Sequence, residues 1–101
     1  MVRQLRIYTI NKGKLDDFIA GWTQYVHPLH LQFGFNIELA ERMEETNEFV
    51  WIVSYDGTME DWENRQKEYY GSPERAAVDP DPARFNAKVQ RWFIEDRLPA
   101  R

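Results

Sequence analysis

The sequence predicts an α+β fold, a ferredoxin-like βαββαβ protomer with one antiparallel four-stranded sheet. Two observations carry this. Hydrophobic periodicity switches between two and 3.6 residues in the order strand, helix, strand, strand, helix, and the last segment is read as the fourth strand that this order needs. The stretch Glu48 to Tyr55, EFVWIVSY, is apolar on both faces: Phe49, Trp51, Val53 and Tyr55 alternate with Val50, Ile52 and Ser54. The helical sequence in 101 residues covers one face of a small sheet, so the other face is expected to rest on a second copy of the chain, as a homodimer. Residues 1–101 form a single domain, long enough to bury roughly 60–70% of the surface of its unfolded chain.

Each element has its own signal. Val2 to Ile10 alternates as a strand, with Leu5, Ile7 and Thr9 on one side and Arg6, Tyr8 and Ile10 on the other. Asn11 to Gly13 turns the chain. Leu15, Phe18, Ile19, Trp22, Val26, Leu29 and Phe33 then follow the rhythm of a helix with one buried stripe. Pro28 lies inside that helix, where it removes the bond to the Gln24 carbonyl and crowds it, which predicts a kink or restart. Gly34 is placed to cap the C-terminus. Phe35 to Arg42 reads as the second strand and Glu44 to Asn47 as a hairpin loop into the third. Thr58, with Asp61 three residues on, opens a helix bearing Met59, Trp62, Gln66 and Tyr69 on one face. Ser72-Pro73 restarts the chain as an N-cap followed by proline. Asp79-Pro80-Asp81-Pro82 must be extended or turning, with Arg75 and Asp79 placed to pair across it. From Phe85 to Leu98 the pattern fits a helix or a strand. The strand, Val89 to Ile94, completes the four-stranded sheet.

Composition narrows the function classes. Thirteen Lys and Arg are dispersed among seventeen acids, for a net charge of −4, which argues against nucleic acid and anionic membrane as partners. Absence of cysteine removes disulfides, thiolate metal sites and cysteine nucleophiles. No apolar run reaches membrane-spanning length, and the amino terminus turns straight into strand sequence, so the expected location is the cytoplasm. Aromatic residues make up 15% of the chain and suit cores, interfaces and ligand pockets equally.

Arg6-Ile7-Tyr8-Thr9-Ile10, Gly13-Lys14-Leu15-Asp16-Asp17-Phe18, Trp22, Pro28-Leu29, Phe33-Gly34-Phe35, Asn47-Glu48-Phe49-Val50-Trp51-Ile52, Tyr55-Asp56-Gly57 and Tyr69-Tyr70-Gly71-Ser72-Pro73-Glu74-Arg75 resemble NIPSNAP-family domains of the dimeric α/β-barrel superfamily. The resemblance runs from the first strand to about Arg84. It implies a protomer whose sheet packs on a partner's sheet across a two-fold axis, with a ligand pocket between the sheet and its own helices. The superfamily includes cofactor-free monooxygenases, polyketide cyclases, muconolactone isomerases, haem-degrading enzymes and chlorite dismutases. Fold does not transmit chemistry, and bacterial NIPSNAP-like domains mostly lack an assigned reaction. The missing mitochondrial leader favours a bacterial, cytoplasmic protein.

Among residues that could carry chemistry, His30 falls on the flank of the helical stripe, where a pocket rim could lie, and imidazole can both give and take a proton. The structural alternative is a helix-end histidine donating to a backbone carbonyl. His27 lies farther round, toward solvent. The two histidines lack an obvious third ligand and a shared helical frame across Pro28, so neither a metal nor a cofactor is expected. Arg6 and Tyr8 share a strand face, where Arg6 could hold a carboxylate or enolate and Tyr8 could donate to an oxyanion. The alternative is an Arg6–Glu38 ion pair with Tyr8 filling space. Trp22, Trp51, Tyr55, Trp62 and Tyr69 could line an apolar cleft, although core packing is the better account of Trp22 and Trp51. Ser72 reads as a cap and not as a nucleophile, and Glu41, Glu44, Glu45 and Glu48 as a solvated hairpin tip. Two function classes therefore stand: a homodimeric binder of a small, partly apolar organic molecule working as a cofactor-independent enzyme, and a non-catalytic interaction or ligand-carrying homodimer. A buried cavity touching a histidine or tyrosine favours the first.

Overall fold

In the computed structural model, which describes residues 1–98, the strands are β1 (Val2–Ile10), β2 (Asn36–Met43), β3 (Glu48–Tyr55) and β4 (Asn86–Phe93). They pair antiparallel in the order β2-β3-β1-β4, which is the predicted ferredoxin-like sheet. The first and third strands have their expected bounds. β2 starts one residue later than predicted, because Phe35 leaves the ladder to bury its ring under the helices. β4 starts three residues earlier than Val89, extending the ladder with β1, which runs from Gln4 to Ile10.

Register divides the side chains between two faces. Val2, Gln4, Arg6, Tyr8 and Ile10 of β1 are buried, as are Phe49, Trp51 and Val53 of β3, and this face carries the helices. Leu5 stands opposite Ile52 and Trp92, and Ile7 opposite Val50, on the other face. There Leu5, Ile7, Val50 and Ile52 are only half-buried and Trp92 is 56% exposed. Arg3 on that open face pairs with Glu38 at 2.9 Å, so the suggested Arg6–Glu38 ion pair does not form. The reason is register: Arg6 and Glu38 project from opposite faces of the sheet.

The first long helix is broken, as Pro28 predicts, by a specific device. α1 (Leu15–Gly21) passes into a five-residue π-helical turn, Trp22–Val26, and then into α2 (His27–Gln32). The His27 N–H donates to the Trp22 carbonyl, five residues back. Widening the turn relieves the clash between the Pro28 ring and the preceding turn and absorbs its missing donor. Gly34, at φ 86°, closes the helix in the left-handed conformation that disfavours a side chain.

α3 (Met59–Tyr70) opens on the expected capping box. The Asp61 N–H donates to Thr58 Oγ1 at 3.1 Å, and the Thr58 N–H donates to the Asp61 carboxylate at 2.9 Å. After α4 (Pro73–Ala76), capped by Ser72, a 3₁₀ turn at Pro82–Phe85 leads into β4. Arg75 forms a two-pronged bond to Asp81, at 3.0 and 3.1 Å, and not to Asp79. Asp81 also accepts from the Ala83 N–H at 2.9 Å, so it serves as a cap and an ion-pair partner at once.

Replacing Thr58 with Ala should lower the stability measured by urea unfolding by about 1 kcal/mol at unchanged slope, and Thr58→Ser should restore most of it. Equal stability of the Ala variant and the wild type would show the cap to be inert.

Candidate functional site

Between the helical layer and the sheet lies a cavity of about 70 Å³. Its floor and walls are Tyr8 of β1, Trp51 of β3, Phe18, Trp22, Val26 and His30 of the broken helix, and Tyr69 of α3. Its mouth is built from the chain between α3 and β4: Tyr70, Arg75, Pro82, Ala83, Asn86 and Arg91. The volume holds a few waters or a ligand of a handful of heavy atoms, well below the roughly 300 Å³ of a drug-sized site.

The π turn explains why His30 faces this cavity. In a regular helix His30 would stand on the flank of the stripe, and one extra residue in the turn rotates everything after it by about 100°. His30 is accordingly 1% exposed instead of lying at a rim, and Phe33 moves to the partly buried edge. His27 stacks on Trp22 with centroids 5.1 Å apart instead of standing free in solvent. The His30 ring packs against Trp51 at 5.2 Å and Tyr69 at 4.2 Å. Its Nδ1–H donates to the Val26 carbonyl at 2.9 Å, the bond of the structural alternative. A carbonyl can only accept, so Nδ1 carries the proton and Nε2 presents a bare lone pair.

That Nε2 finds no hydrogen-bond partner among the described residues, and the same holds for Trp22 Nε1, Trp51 Nε1, Tyr69 Oη and Asn86 Oδ1. All five belong to residues that line the cavity. Buried polar atoms are nearly always paired with protein or with water, so five in one place set this cavity apart from the rest of the core. Burial pushes the His30 imidazole down to about 3, against the weaker opposing pull of its bond to Val26, and the nearby Arg6 and Arg75 guanidiniums push the same way. Burial likewise raises the Tyr69 phenol, which stays protonated at neutral pH.

Arg6 is 1% exposed and has no carboxylate partner among the described residues. Its Nε donates to Gln4 at 2.9 Å and Nη2 to Gln66 at 3.3 Å, and its guanidinium stacks 4.8 Å from the Trp51 ring centre. Burial alone would raise the Asp81 carboxyl, but the Arg75 fork and the Ala83 N–H hold it below its usual value.

Of the residues singled out in the sequence, the cavity brings together His30, Tyr8, Trp22, Trp51 and Tyr69, with Arg6 behind Trp51. Tyr55 and Trp62 lie elsewhere. Tyr55 borders a shallow surface dimple with Asn64 and Glu68, and Trp62 is buried against Phe35 and Phe93. Sequence reasoning missed Arg91 and Asn86. The signal was alternation: with β4 in register, Arg91 stands directly opposite Arg6 and shares its face.

A helix-backed antiparallel sheet in this strand order, with an aromatic cavity between the layers, defines the ferredoxin-like α+β class. Within it, the fold is that of solved NIPSNAP proteins. A NIPSNAP family protein from Agrobacterium tumefaciens superposes with a TM-score of 0.85 at 14% identity, covering 99% of this chain and 98% of that one. An uncharacterized NIPSNAP domain protein from Burkholderia xenovorans gives 0.81 at 18% identity, with 99% and 95% covered. A Nitrosomonas europaea protein provisionally named an antibiotic biosynthesis monooxygenase gives 0.70 at 11% identity, with 97% and 100% covered. No family model and no curated protein matches the sequence. At these identities the likeness is one of fold.

Unfolded, His30 takes up a proton near pH 6.5, and folded only near 3, so between those values the unfolded chain holds more protons. Stability should therefore be complete above pH 6.5 and fall on acidification, by up to about 1.4 kcal/mol per pH unit from this group. Melting curves between pH 7 and 5, above the carboxylate range, should show the loss, and His30→Gln should flatten it. An unchanged slope in the variant would refute the assignment to His30.

Proposed function

We propose that this chain is a NIPSNAP-like protein that binds a small, partly apolar organic molecule in the cleft between sheet and helices and acts on it as a cofactor-independent enzyme of the cytoplasm. The observation that carries the reading is the group of five unpartnered polar atoms around one aromatic-walled cavity. The aromatic walls supply apolar contact, Trp22 and Trp51 supply N–H donors, and Tyr69 supplies a phenol that keeps its proton. His30 Nε2 is the acceptor for a proton leaving the ligand, and Tyr69 or Tyr8 is the donor to an oxyanion developing on it. Proton transfer of this kind suits a monooxygenase, cyclase or isomerase that draws its reactivity from the substrate.

One observation favours the second reading, a non-catalytic carrier. A His30 imidazole pushed down to about 3 is a weak base at neutral pH. Turnover then depends on a ligand acidic enough to give its proton to such a base, whereas a carrier needs only the hydrogen bond.

Both readings place a second copy of the chain on the open face, where Leu5, Ile7, Val50 and Ile52 form a half-buried apolar strip beside the exposed Trp92. Monomeric proteins rarely leave such a continuous strip to water.

Tyr69→Phe should leave the melting temperature unchanged or raise it, because the hydroxyl it removes has no partner among the described residues, and should weaken the binding of any fragment that quenches Trp22 and Trp51 fluorescence. A screen of small acids, amides and phenols that yields no quenching and no thermal shift would sink the cleft reading. For assembly, light scattering should give twice the 12.2 kDa chain mass, and Ile52→Lys should give a folded monomer. A stable wild-type monomer would overturn the dimer.

A further inference from the structure

The charge around the cavity is lopsided. Arg6 and Arg91 are directly opposed across β1 and β4 on the face that packs against the helices, an arrangement that is unfavourable for like charges unless something negative lies between or beside them. Arg6 is fully buried with only amide oxygens as acceptors, and one arm of its guanidinium, Nη1, has no partner among the described residues. Arg91 reaches the mouth, where its hydrogen-bond acceptor is the Tyr70 phenol at 3.4 Å. Arg75 brings a third guanidinium, which Asp81 neutralises through its two-pronged bond. Among the described residues, no acid lines the cavity. In a chain that carries a net charge of −4, this concentration of uncompensated cations is opposite to the whole.

The polar atoms inside add a second requirement. The indole N–H groups of Trp22 and Trp51 and the Tyr69 hydroxyl can donate, whereas the bare Nε2 of His30 and, at the mouth, Oδ1 of Asn86 can only accept. A plain anion satisfies the donors and leaves Nε2 alone. A ligand that also carries an O–H or N–H satisfies the donors and Nε2, and Asn86 Oδ1 at the mouth is left to water.

Resting on the reading of the cavity as a ligand site, we propose that the ligand is a small organic monoanion of the hydroxy- or enol-carboxylate kind, its carboxylate toward the arginine side and its hydroxyl donating to His30 Nε2. Size agrees, since about 70 Å³ admits a compact acid and excludes a nucleotide or a fatty chain. The same polarity distinguishes such an acid from a neutral amide of equal shape, because only the anion relieves the opposed Arg6 and Arg91.

The test uses the intact chain and three probes: glycolate, its neutral isostere glycolamide, and acetate, which lacks the hydroxyl. Titrations followed by Trp fluorescence, with sodium chloride holding ionic strength constant, should show glycolate binding roughly tenfold more tightly than glycolamide and more tightly than acetate. Arg91→Gln, a change at an exposed position on the edge strand, should remove most of the preference for glycolate over glycolamide while leaving glycolamide binding as it was. Glycolamide binding as tightly as glycolate to the wild-type chain would overturn the anion assignment and leave the cleft reading intact. Acetate binding as tightly as glycolate would overturn the hydroxyl assignment to His30. Failure of all three probes at concentrations well above those of ordinary metabolites would overturn this proposal, and the failure of the broader fragment screen as well would remove the cleft reading itself.

Discussion

One indole ties the two layers together. Trp51 stands on the central strand β3, 1% exposed, with the edges or faces of Tyr8, Trp22 and His30 meeting it at 5.7, 5.4 and 5.2 Å. Those partners come from β1, the π turn and α2, so the ring fixes where the broken helix sits over the sheet. Each contact is near-perpendicular, which places the positive edge of one ring on the negative face of another. The Arg6 guanidinium lies 4.8 Å from the ring centre as a cation–π partner. The arrangement that packs the core is therefore also the arrangement that holds a buried charge beside the cavity, and the walls of the site are not separable from the structure that supports them.

The sheet faces and helix starts were legible because they rest on local rules. Alternation along Glu48 to Tyr55 assigned Trp51 to one face and Ile52 to the other without knowledge of any neighbour. The Thr58–Asp61 cap and the Ser72-Pro73 restart depend on contacts three residues apart. Pro28 announced a disruption but not its form. A kink, a restart and a π turn all accommodate a proline, and only the π turn rotates His30 from the flank to the centre. An assignment of faces by 100° per residue fails after an inserted residue, which is why His30 was expected at a rim and His27 in solvent.

Pairings between distant segments were the least legible. Glu38 pairs with Arg3 and not Arg6, since a β-bulge between Ile37 and Leu39 leaves Glu38 on the open face with Arg3. Arg75 passes over Asp79 for Asp81, whose carboxylate already accepts the Ala83 N–H. Arg91 became visible as a site residue only through its register with Arg6, and that register needed the start of β4, which lies where helix and strand patterns overlap. These errors share one source: the sequence reading supplied directions for side chains but not the offset between strands, and an offset of one residue exchanges the faces.

The same residues bear on stability. Leaving a buried donor or acceptor unpaired costs about 1–3 kcal/mol, so five around one cavity approach the whole stability expected of a domain this size. A core designed for stability alone would hold apolar side chains there, as Phe49 does behind Trp22, 3% exposed with ring centres 4.9 Å apart. In solution these atoms must bond to something other than the protein. A cavity of about 70 Å³ lets a few water molecules fill that role, each immobilised at a cost of up to about 2 kcal/mol. A ligand that replaces several such waters with one rigid set of donors and acceptors releases them. Under the proposed ligand-binding reading, the polarity that weakens the fold in isolation is the source of affinity.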